Sequence, residues 1–189
     1  MLSGQPGGKL RDELEQGVEV DTGRKHVVFL CTGNAARSVM AGAALARSGG
    51  ARITTAGTHV VEGQPMSWRT RSALEGAGLA ADGHRSRQIR QRDLDEADLV
   101  VGLAREHVEH VRRRHPSAAA RTATLRRLCR DLPGRPGTLQ ERLEGLHLDE
   151  VELELWEDVD DPAGGEVEDF HGCAAEIVEL VALLERELA

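Results

Sequence analysis

The chain has 189 residues, 40% hydrophobic and 30% charged, which suits one globular domain with a substantial core. Its formal net charge of −8 argues against nucleic-acid binding. No apolar run approaches the roughly 18 residues of a membrane-spanning helix, and the first residues lack the apolar core of a signal peptide. We therefore predict a cytoplasmic protein with neither a nucleic acid nor a membrane as partner.

The first predicted structural element follows a polar segment. Residues 1–24 are polar and rich in glycine, and we predict that they form an N-terminal extension to a domain covering residues 25–189. Residues 26–30 form a short apolar run, which is typical of a strand buried on both faces. The alanine-rich residues 38–47 predict a helix, which ends before a pair of glycines.

The rest of the chain alternates between strand and helix candidates. Further strands are predicted over residues 51–55, 97–103 and 123–125. Further helices are predicted after Ser67 and up to Leu79 with a break at Gly78, over residues 105–114, and over residues 167–188. This alternation predicts an α/β fold with a parallel sheet and right-handed crossovers. Sites in such sheets form at the carboxyl ends of strands, and Cys31 directly follows the first predicted strand.

Residues 31–38, which we call the phosphate loop, read C-x5-R-S and carry the strongest functional signal. The thiolate is the reactive form of cysteine. The backbone N–H groups of a tight loop and the start of a helix stabilise a thiolate and bind phosphate oxygens. Arg37 ends the loop with a planar guanidinium, which can hold two phosphate oxygens. The pattern predicts a phosphate-ester hydrolase with Cys31 as its nucleophile.

The other residues of the phosphate loop suit the same chemistry. Gly33 permits close approach of the backbone, and Asn34 tolerates a left-handed conformation. Ser38 is placed to donate a hydrogen bond to the Cys31 sulfur or to cap the helix. The predicted phosphate-binding residues are Thr32, Gly33, Asn34, Ala35, Ala36, Arg37 and Ser38.

A cysteine phosphatase also uses an acid to protonate the leaving oxygen. Asp161, which precedes Pro162 in an acidic segment, is the candidate. Neighbouring carboxylates favour the protonated form of such a group. Asp-Pro is also common in turns, so the residues alone leave the choice between a catalytic and a structural role open.

These segments together resemble the low-molecular-weight protein tyrosine phosphatases, including their bacterial branch, over about residues 25–189. The strongest likeness lies in residues 28–41. Supporting segments follow in the family's order, at residues 56–58 with 63–66, then 83–88, 97–100 and 161–162.

The resemblance implies a four-stranded parallel sheet with helices on both faces, in the flavodoxin-like doubly wound arrangement. It implies Cys31 as nucleophile, Arg37 as phosphate clamp and Asp161 as general acid, with Ser38 as thiolate partner and Asn34 as a residue that shapes the loop. It implies no metal and no organic cofactor. The expected partner is a phosphorylated protein or a small phosphate ester.

The chain departs from the family at two positions. Ala36 stands where many members carry a second cysteine, so a disulfide within the loop is excluded. Ala163 stands where members usually carry an aromatic residue that lines the substrate slot. We therefore expect weak phosphotyrosine selectivity, unless another aromatic side chain fills the gap. The candidates for that are Trp68, Trp156 and Phe170.

Two residues near the phosphate loop complete the predicted substrate pocket. The family places the segment containing His59 and Glu62 beside the active site, and both are expected to contact substrate together with Ala163. His107 and His110 stand three residues apart on a predicted helix, with no third metal ligand nearby, so we predict a solvated helix face. We expect the same of the arginines at positions 112–114.

Two other functions remain open on the sequence. An arsenate reductase on the same fold that uses an external thiol would need only Cys31, because Cys129 and Cys173 are too far apart in sequence to resemble a thioredoxin-linked pair. A protein that binds phosphorylated partners without turnover is the other alternative. The presence of Cys31, Arg37 and Asp161 favours an enzyme.

Overall fold

The structure, a computed structural model, describes residues 23–188. Its strands are β1 (Lys25–Cys31), β2 (Ala51–Gly57), β3 (Leu99–Gly102) and β4 (Thr122–Thr124). They form a parallel sheet in the order β2-β1-β3-β4. The four predicted strands are confirmed, with boundaries shifted by one or two residues.

Seven α-helices lie within the described residues. They are α1 (Arg37–Ala46), α2 (Trp68–Gly76), α3 (Gln91–Asp95), α4 (Arg105–Arg114), α5 (Leu125–Asp131), α6 (Leu139–Glu144) and α7 (Val167–Arg186). The predicted helices correspond to α1, α2, α4 and α7, whereas the short helices α3, α5 and α6 were not predicted. No helix within residues 23–188 is long and apolar enough to cross a membrane. The predicted N-terminal extension lies outside the described residues, apart from Gly23 and Arg24.

Two predicted boundaries were wrong for local reasons. Leu125 was expected to end the fourth strand, but it begins α5, because the Thr124 side chain accepts a hydrogen bond from the backbone N–H of Arg127 and so caps that helix. The second predicted helix was expected to reach Leu79. It ends at Gly76, and Gly78 then takes a left-handed conformation with φ of 67°.

Strand β1 separates two layers of apolar side chains. Val27 and Phe29 pack in one cluster with residues of α1 and α7, whereas Val28 and Leu30 pack in a second cluster on the opposite face. All four are fully buried. Burial of both faces explains why the segment is apolar without alternation, and it confirms the predicted α/β fold with helices on both faces of the sheet.

The arginines at the end of α4 were predicted to form one solvated face, and this prediction was wrong for Arg112. The Arg112 guanidinium donates hydrogen bonds to the backbone carbonyls of Leu148 at 2.5 Å and Val151 at 2.8 Å, and the side chain is partly buried. Arg113 and Arg114 are exposed as expected. A long arginine side chain can satisfy two carbonyls of a neighbouring loop, and helical spacing alone does not reveal this.

Candidate active site

The phosphate loop lies between the carboxyl end of β1 and the start of α1. Cys31 is the last residue of β1 and is 3% exposed, and α1 begins at Arg37. The first N–H groups of a helix have no carbonyl partners within it, so they are available to an anion at this end. The strand, loop and helix follow one another in the order that the sequence predicts.

Two donors surround the Cys31 sulfur. The Asn34 backbone N–H donates to Cys31 Sγ at 3.2 Å, and Ser38 Oγ lies 3.0 Å from the same atom. Ser38 Oγ accepts a hydrogen bond from Asn34 Nδ2 at 3.0 Å, so its own proton is free to point at the sulfur. Donors directed at sulfur stabilise a thiolate, which is the nucleophilic form.

Asn34 is the centre of the loop's internal support. It is fully buried and has a φ of 50°, the left-handed conformation that its side chain tolerates. Its side-chain amide also donates to Thr55 Oγ1 at 3.1 Å and accepts from the Arg87 backbone N–H at 3.0 Å, and His84 Nε2 donates to the Asn34 carbonyl at 2.7 Å. The local pattern gives Thr55, His84 and Arg87 no individual role. His84 and Arg87 lie in the 83–88 segment that resembles the family, which is the one signal for them in the sequence.

Gly57 lets β2 approach the phosphate loop. A Cβ atom at this position would lie 2.5 Å from the carbonyl oxygen of Thr32 and 2.9 Å from the backbone nitrogen of Asn34. Both are backbone atoms of the loop and cannot rotate away. The side chain of any other residue would therefore displace the loop that surrounds Cys31.

We expect Gly57→Ala to lower both stability and turnover. Overpacking of this kind typically costs about 1–3 kcal/mol of unfolding free energy, and a displacement of about 1 Å at a reacting centre can reduce the rate about 100-fold. Thermal unfolding and kcat/KM for a small aryl phosphate would measure the two effects. Gly172→Ala is the control, because a Cβ there has no heavy atom within 4 Å. Wild-type turnover in Gly57→Ala would contradict the close approach.

Arg37 connects the phosphate loop to the predicted acid. The side chain is almost fully buried, and it donates to the Val159 carbonyl at 3.1 Å and to Asp161 Oδ2 at 2.5 Å. The Asp161 carboxylate is partly exposed. The structure thus brings Asp161 to the phosphate loop that contains Cys31 and Arg37, although Asp161 is 124 residues from Arg37 in the sequence.

The segment that carries Asp161 is fixed at several points. Asp158 accepts a hydrogen bond from the Arg105 backbone N–H at 2.7 Å and pairs with the Arg105 side chain, and the Val159 N–H donates to the Leu103 carbonyl. The buried carboxylate of Glu157 is paired with Arg127. These contacts hold the segment against the carboxyl end of β3 and the start of α4.

The predicted pocket residues differ in whether they contact the phosphate loop or Asp161. The His59 backbone N–H donates to the Thr32 carbonyl at 2.9 Å, and the exposed Ala163 donates its N–H to Asp161 Oδ1 at 3.1 Å. Glu62 accepts from the Gln88 backbone N–H at 3.0 Å, so its carboxylate joins the loop after β2 to the 83–88 segment. A cavity of about 470 Å³ lies beside Arg37 and Asp161.

None of the three aromatic candidates packs against Ala163 in place of the aromatic residue that is missing there. Phe170 belongs to the hydrophobic core, and the Trp156 ring packs against the Arg130 guanidinium at 4.0 Å. Trp68 is 63% exposed at the start of α2, and this helix touches the phosphate loop through a 3.0 Å hydrogen bond from Thr70 Oγ1 to the Ala35 carbonyl. Trp68 is therefore the most exposed of the three, and the Arg69 guanidinium lies 5.2 Å from the centre of its ring.

The prediction that His107 lies on a solvated helix face was wrong. The side chain is fully buried beside the phosphate loop. Its Nδ1 accepts from the Ala104 backbone N–H at 2.9 Å, and its Nε2 lies 3.1 Å from Thr32 Oγ1. Burial, with the charge of Arg37 as a second cause, lowers the pKa of His107 to about 3. Its position on the same helix face as the buried Val111 was the signal in the sequence.

The thiols of Cys129 and Cys173 have separate carbonyl partners, and no cluster of metal ligands lies within the described residues. The three cysteines are unpaired, with the Cys129 thiol directed at the Leu180 carbonyl and the Cys173 thiol at the Asp160 carbonyl. Burial raises the pKa of the Cys129 thiol to about 11 and that of Cys173 to about 12, so both are weak nucleophiles at neutral pH. Within residues 23–188 there is no group of three or more His, Cys, Asp or Glu side chains that could hold a metal ion.

Known proteins share both the sequence pattern and the fold. A protein-arginine-phosphatase from Geobacillus stearothermophilus is 27% identical over 164 residues, which cover 86% of this chain and 95% of that protein. A low molecular weight protein-tyrosine-phosphatase from Streptomyces coelicolor is 36% identical over 114 residues, which cover 53% of this chain and 66% of that one.

Solved structures extend the likeness over most of the chain. The YwlE arginine phosphatase from Geobacillus stearothermophilus superimposes with a TM-score of 0.69 and 28% identity, covering 87% of this chain and 92% of that one. The tyrosine phosphatase Wzb from Escherichia coli K30 shares the fold, with a TM-score of 0.69 and 18% identity, covering 88% and 99%. The model of the low molecular weight phosphotyrosine protein phosphatase family matches residues 26–136. With more than half of its length matched, the chain belongs to this family of hydrolases.

Proposed function

We propose that Cys31 is the nucleophile of a phosphomonoester hydrolase. The sulfur attacks phosphorus, a sulfur–phosphorus bond forms, and the bond from phosphorus to the leaving oxygen breaks. Arg37 and the backbone N–H groups of residues 32–38 hold the phosphate oxygens. Water then attacks the phosphocysteine, releasing inorganic phosphate and the thiolate. The 3.0 Å contact between Cys31 Sγ and Ser38 Oγ, at the base of the loop that Arg37 closes, is the observation that carries this proposal.

Asp161 is the proposed general acid. It gives its proton to the leaving oxygen in the first step and accepts a proton from the attacking water in the second. Its 2.5 Å ion pair with Arg37 places the carboxylate beside the group that would hold the phosphate. A phosphate group on Arg37 would replace that carboxylate as the guanidinium's partner.

A substrate panel tests the function directly. Wild type and Cys31→Ser would be compared on a phosphotyrosine peptide, a phosphoserine peptide, a small aryl phosphate, and arsenate with an external thiol. Cys31-dependent phosphate release supports the phosphatase. Arsenate reduction without useful phosphate release would instead indicate the reductase, and binding without turnover would indicate a phosphate-binding protein.

Phosphotyrosine is the primary proposed substrate, with only a modest preference over other esters. A phosphate-binding loop treats monoesters alike, so selectivity depends on the slot walls. Ala163, followed by two glycines, offers neither a stacking surface nor height. The physiological partner would be a phosphorylated protein or a small phosphate ester.

We expect Ala163→Tyr to raise kcat/KM for phosphotyrosine peptides by about two- to ten-fold, because aromatic stacking contributes about 0.5–1.5 kcal/mol beyond buried area. A small alkyl phosphate should change little, because it has no ring to stack. Ala163→Leu is the control for added bulk. Equal gains on both substrates, or a loss on the peptide, would show that position 163 does not line the slot.

Phosphoarginine is a second candidate substrate. The first relative described above is named a protein-arginine-phosphatase. The cavity beside Arg37 is lined by two guanidinium groups, of Arg37 and Arg105, and by five carboxylates, so negative charge is in excess there and suits the cationic guanidinium part of a phosphoarginine. The carboxylates are those of Glu106, Glu109, Asp158, Asp160 and Asp161. Phosphate release from matched phosphoarginine and phosphotyrosine peptides would decide between the two, since the phosphorylated residue is then the one difference.

A further inference from the structure

A hydrogen-bonded chain runs from the interior to the rim of the phosphate loop. The Ala104 backbone N–H donates to His107 Nδ1, which places the ring proton on Nε2. That Nε2 lies 3.1 Å from Thr32 Oγ1 and 3.2 Å from Glu106 Oε1. Thr32 Oγ1 in turn donates to Glu106 Oε1 at 2.8 Å. The ring proton is therefore directed at the Thr32 hydroxyl, and that hydroxyl directs its own proton at Glu106.

The inner end of this chain is rigid. His107 is fully buried, both of its ring nitrogens are engaged, and it remains neutral at physiological pH. Because the ring is neutral, the 3.2 Å approach of Nε2 to Glu106 Oε1 is not an ion pair. The Glu106 side chain is 63% exposed. A glutamate this exposed would ordinarily rotate freely, so the hydrogen bond from Thr32, which His107 holds from the other side, reduces its conformational freedom at a defined place.

That place is next to the proposed reaction centre. Thr32 directly follows Cys31, and Glu106 lines the same cavity as Arg37 and Asp161. A fixed negative charge at this rim attracts cationic groups beside the phosphate and repels anionic ones. Glu109 lines the same cavity one turn further along α4, but no hydrogen bond or ion pair joins it to the described residues.

We propose that Glu106 is a specificity-determining residue, held in place by Thr32 and His107, which selects phosphotyrosyl substrates with a cationic side chain next to the phosphorylated residue. The inference rests on the proposed function, and it names the substrate class of the same site. His107 acts through Glu106 and is a positioning residue.

The test compares two phosphotyrosine peptides that differ only in having Lys or Glu on both sides of the phosphotyrosine. The measured quantity is the ratio of their kcat/KM values, in which a general loss of activity cancels. Glu106→Gln should lower the Lys-to-Glu ratio by about two- to five-fold, the range expected for an exposed charge pair. Glu109→Gln is the matched control and should change the ratio by less than half as much.

Three further variants, at two positions, test the residues that hold Glu106 in place. Asn at position 107 keeps an acceptor for the Ala104 N–H but is too short to reach Thr32, so His107→Asn should lower the ratio in the same direction as Glu106→Gln. Thr32→Ser keeps the hydroxyl donor and should retain the wild-type ratio, whereas Thr32→Val should lower it. Thermal unfolding of each variant confirms that it is folded.

Three results would overturn the proposal. They are an unchanged ratio in Glu106→Gln, an equal change in Glu109→Gln, and an unchanged ratio in both His107→Asn and Thr32→Val. Each of these leaves Cys31-dependent turnover intact, so the proposed function would stand. Failure of the wild type to release phosphate from either peptide would overturn this proposal and the phosphotyrosine assignment, whereas the proposed hydrolase would also fall if the small aryl phosphate were not turned over.

Discussion

Replacing Cys31 with serine is expected to reduce phosphate release by more than about 10⁴-fold, because the attacking atom is lost while the rest of the site remains. The serine hydroxyl is a far weaker nucleophile than a thiolate and has no base positioned for it. Its neighbours, the Asn34 N–H and Ser38 Oγ, stay where they are. The variant should therefore still bind inorganic phosphate with about wild-type affinity, which calorimetry or competition would measure.

Cys129→Ser is the matched control for this experiment. The Cys129 thiol is partly buried and directed at the Leu180 carbonyl, away from the phosphate loop. It should keep wild-type turnover. Near-normal turnover in Cys31→Ser would rule out covalent catalysis through Cys31, and loss of phosphate binding would show that the substitution had disrupted the loop.

Replacing Asp161 with asparagine is expected to slow hydrolysis of poor leaving groups by about 10²–10⁴-fold, the usual contribution of a general acid. Good leaving groups depart without a proton and should be affected much less. The slope of log kcat/KM against leaving-group pKa, over a series of aryl phosphates, measures this difference. The slope should be steeper in the variant than in the wild type.

Asp160 supplies the control, because it is the adjacent carboxylate in the same acidic segment and does not pair with Arg37. Asp160→Asn should leave the leaving-group slope unchanged. If Asp160→Asn steepens the slope and Asp161→Asn does not, the acid has been assigned to the wrong residue. A loss that is equal for all leaving groups in Asp161→Asn would instead indicate a role in holding Arg37.

The sequence predicted the elements with a strong local pattern. The buried run of β1, the alanine-rich α1 and the long amphipathic α7 each carry a clear signal, and their order implies the sheet. Helices α3, α5 and α6 span five to seven residues, which is too short for an apolar periodicity. Helix α6 carries a recognisable start, the capping box of Thr138 and Glu141, and α5 follows the capping residue Thr124.

The same division applies to the candidate site. The phosphate loop is continuous in sequence, so its residue types and spacing could be interpreted together. Its support comes from Thr55, His84 and Arg87, and contacts between distant segments are not encoded in local spacing. His107 was misplaced because two histidines three residues apart were interpreted as a surface pair, although the buried Val111 lies on the same helix face as His107.

The covalent intermediate is the most direct test of the central claim that Cys31 attacks phosphorus. Wild-type protein would be mixed with an aryl phosphate, quenched in acid within the first turnovers and digested, and the peptides would be analysed by mass spectrometry. We predict one phosphoryl group on the peptide that contains Cys31, absent from Cys31→Ser treated in the same way. Full turnover with no phosphoryl group on Cys31 at any quench time, or with the group on another residue, would contradict the account.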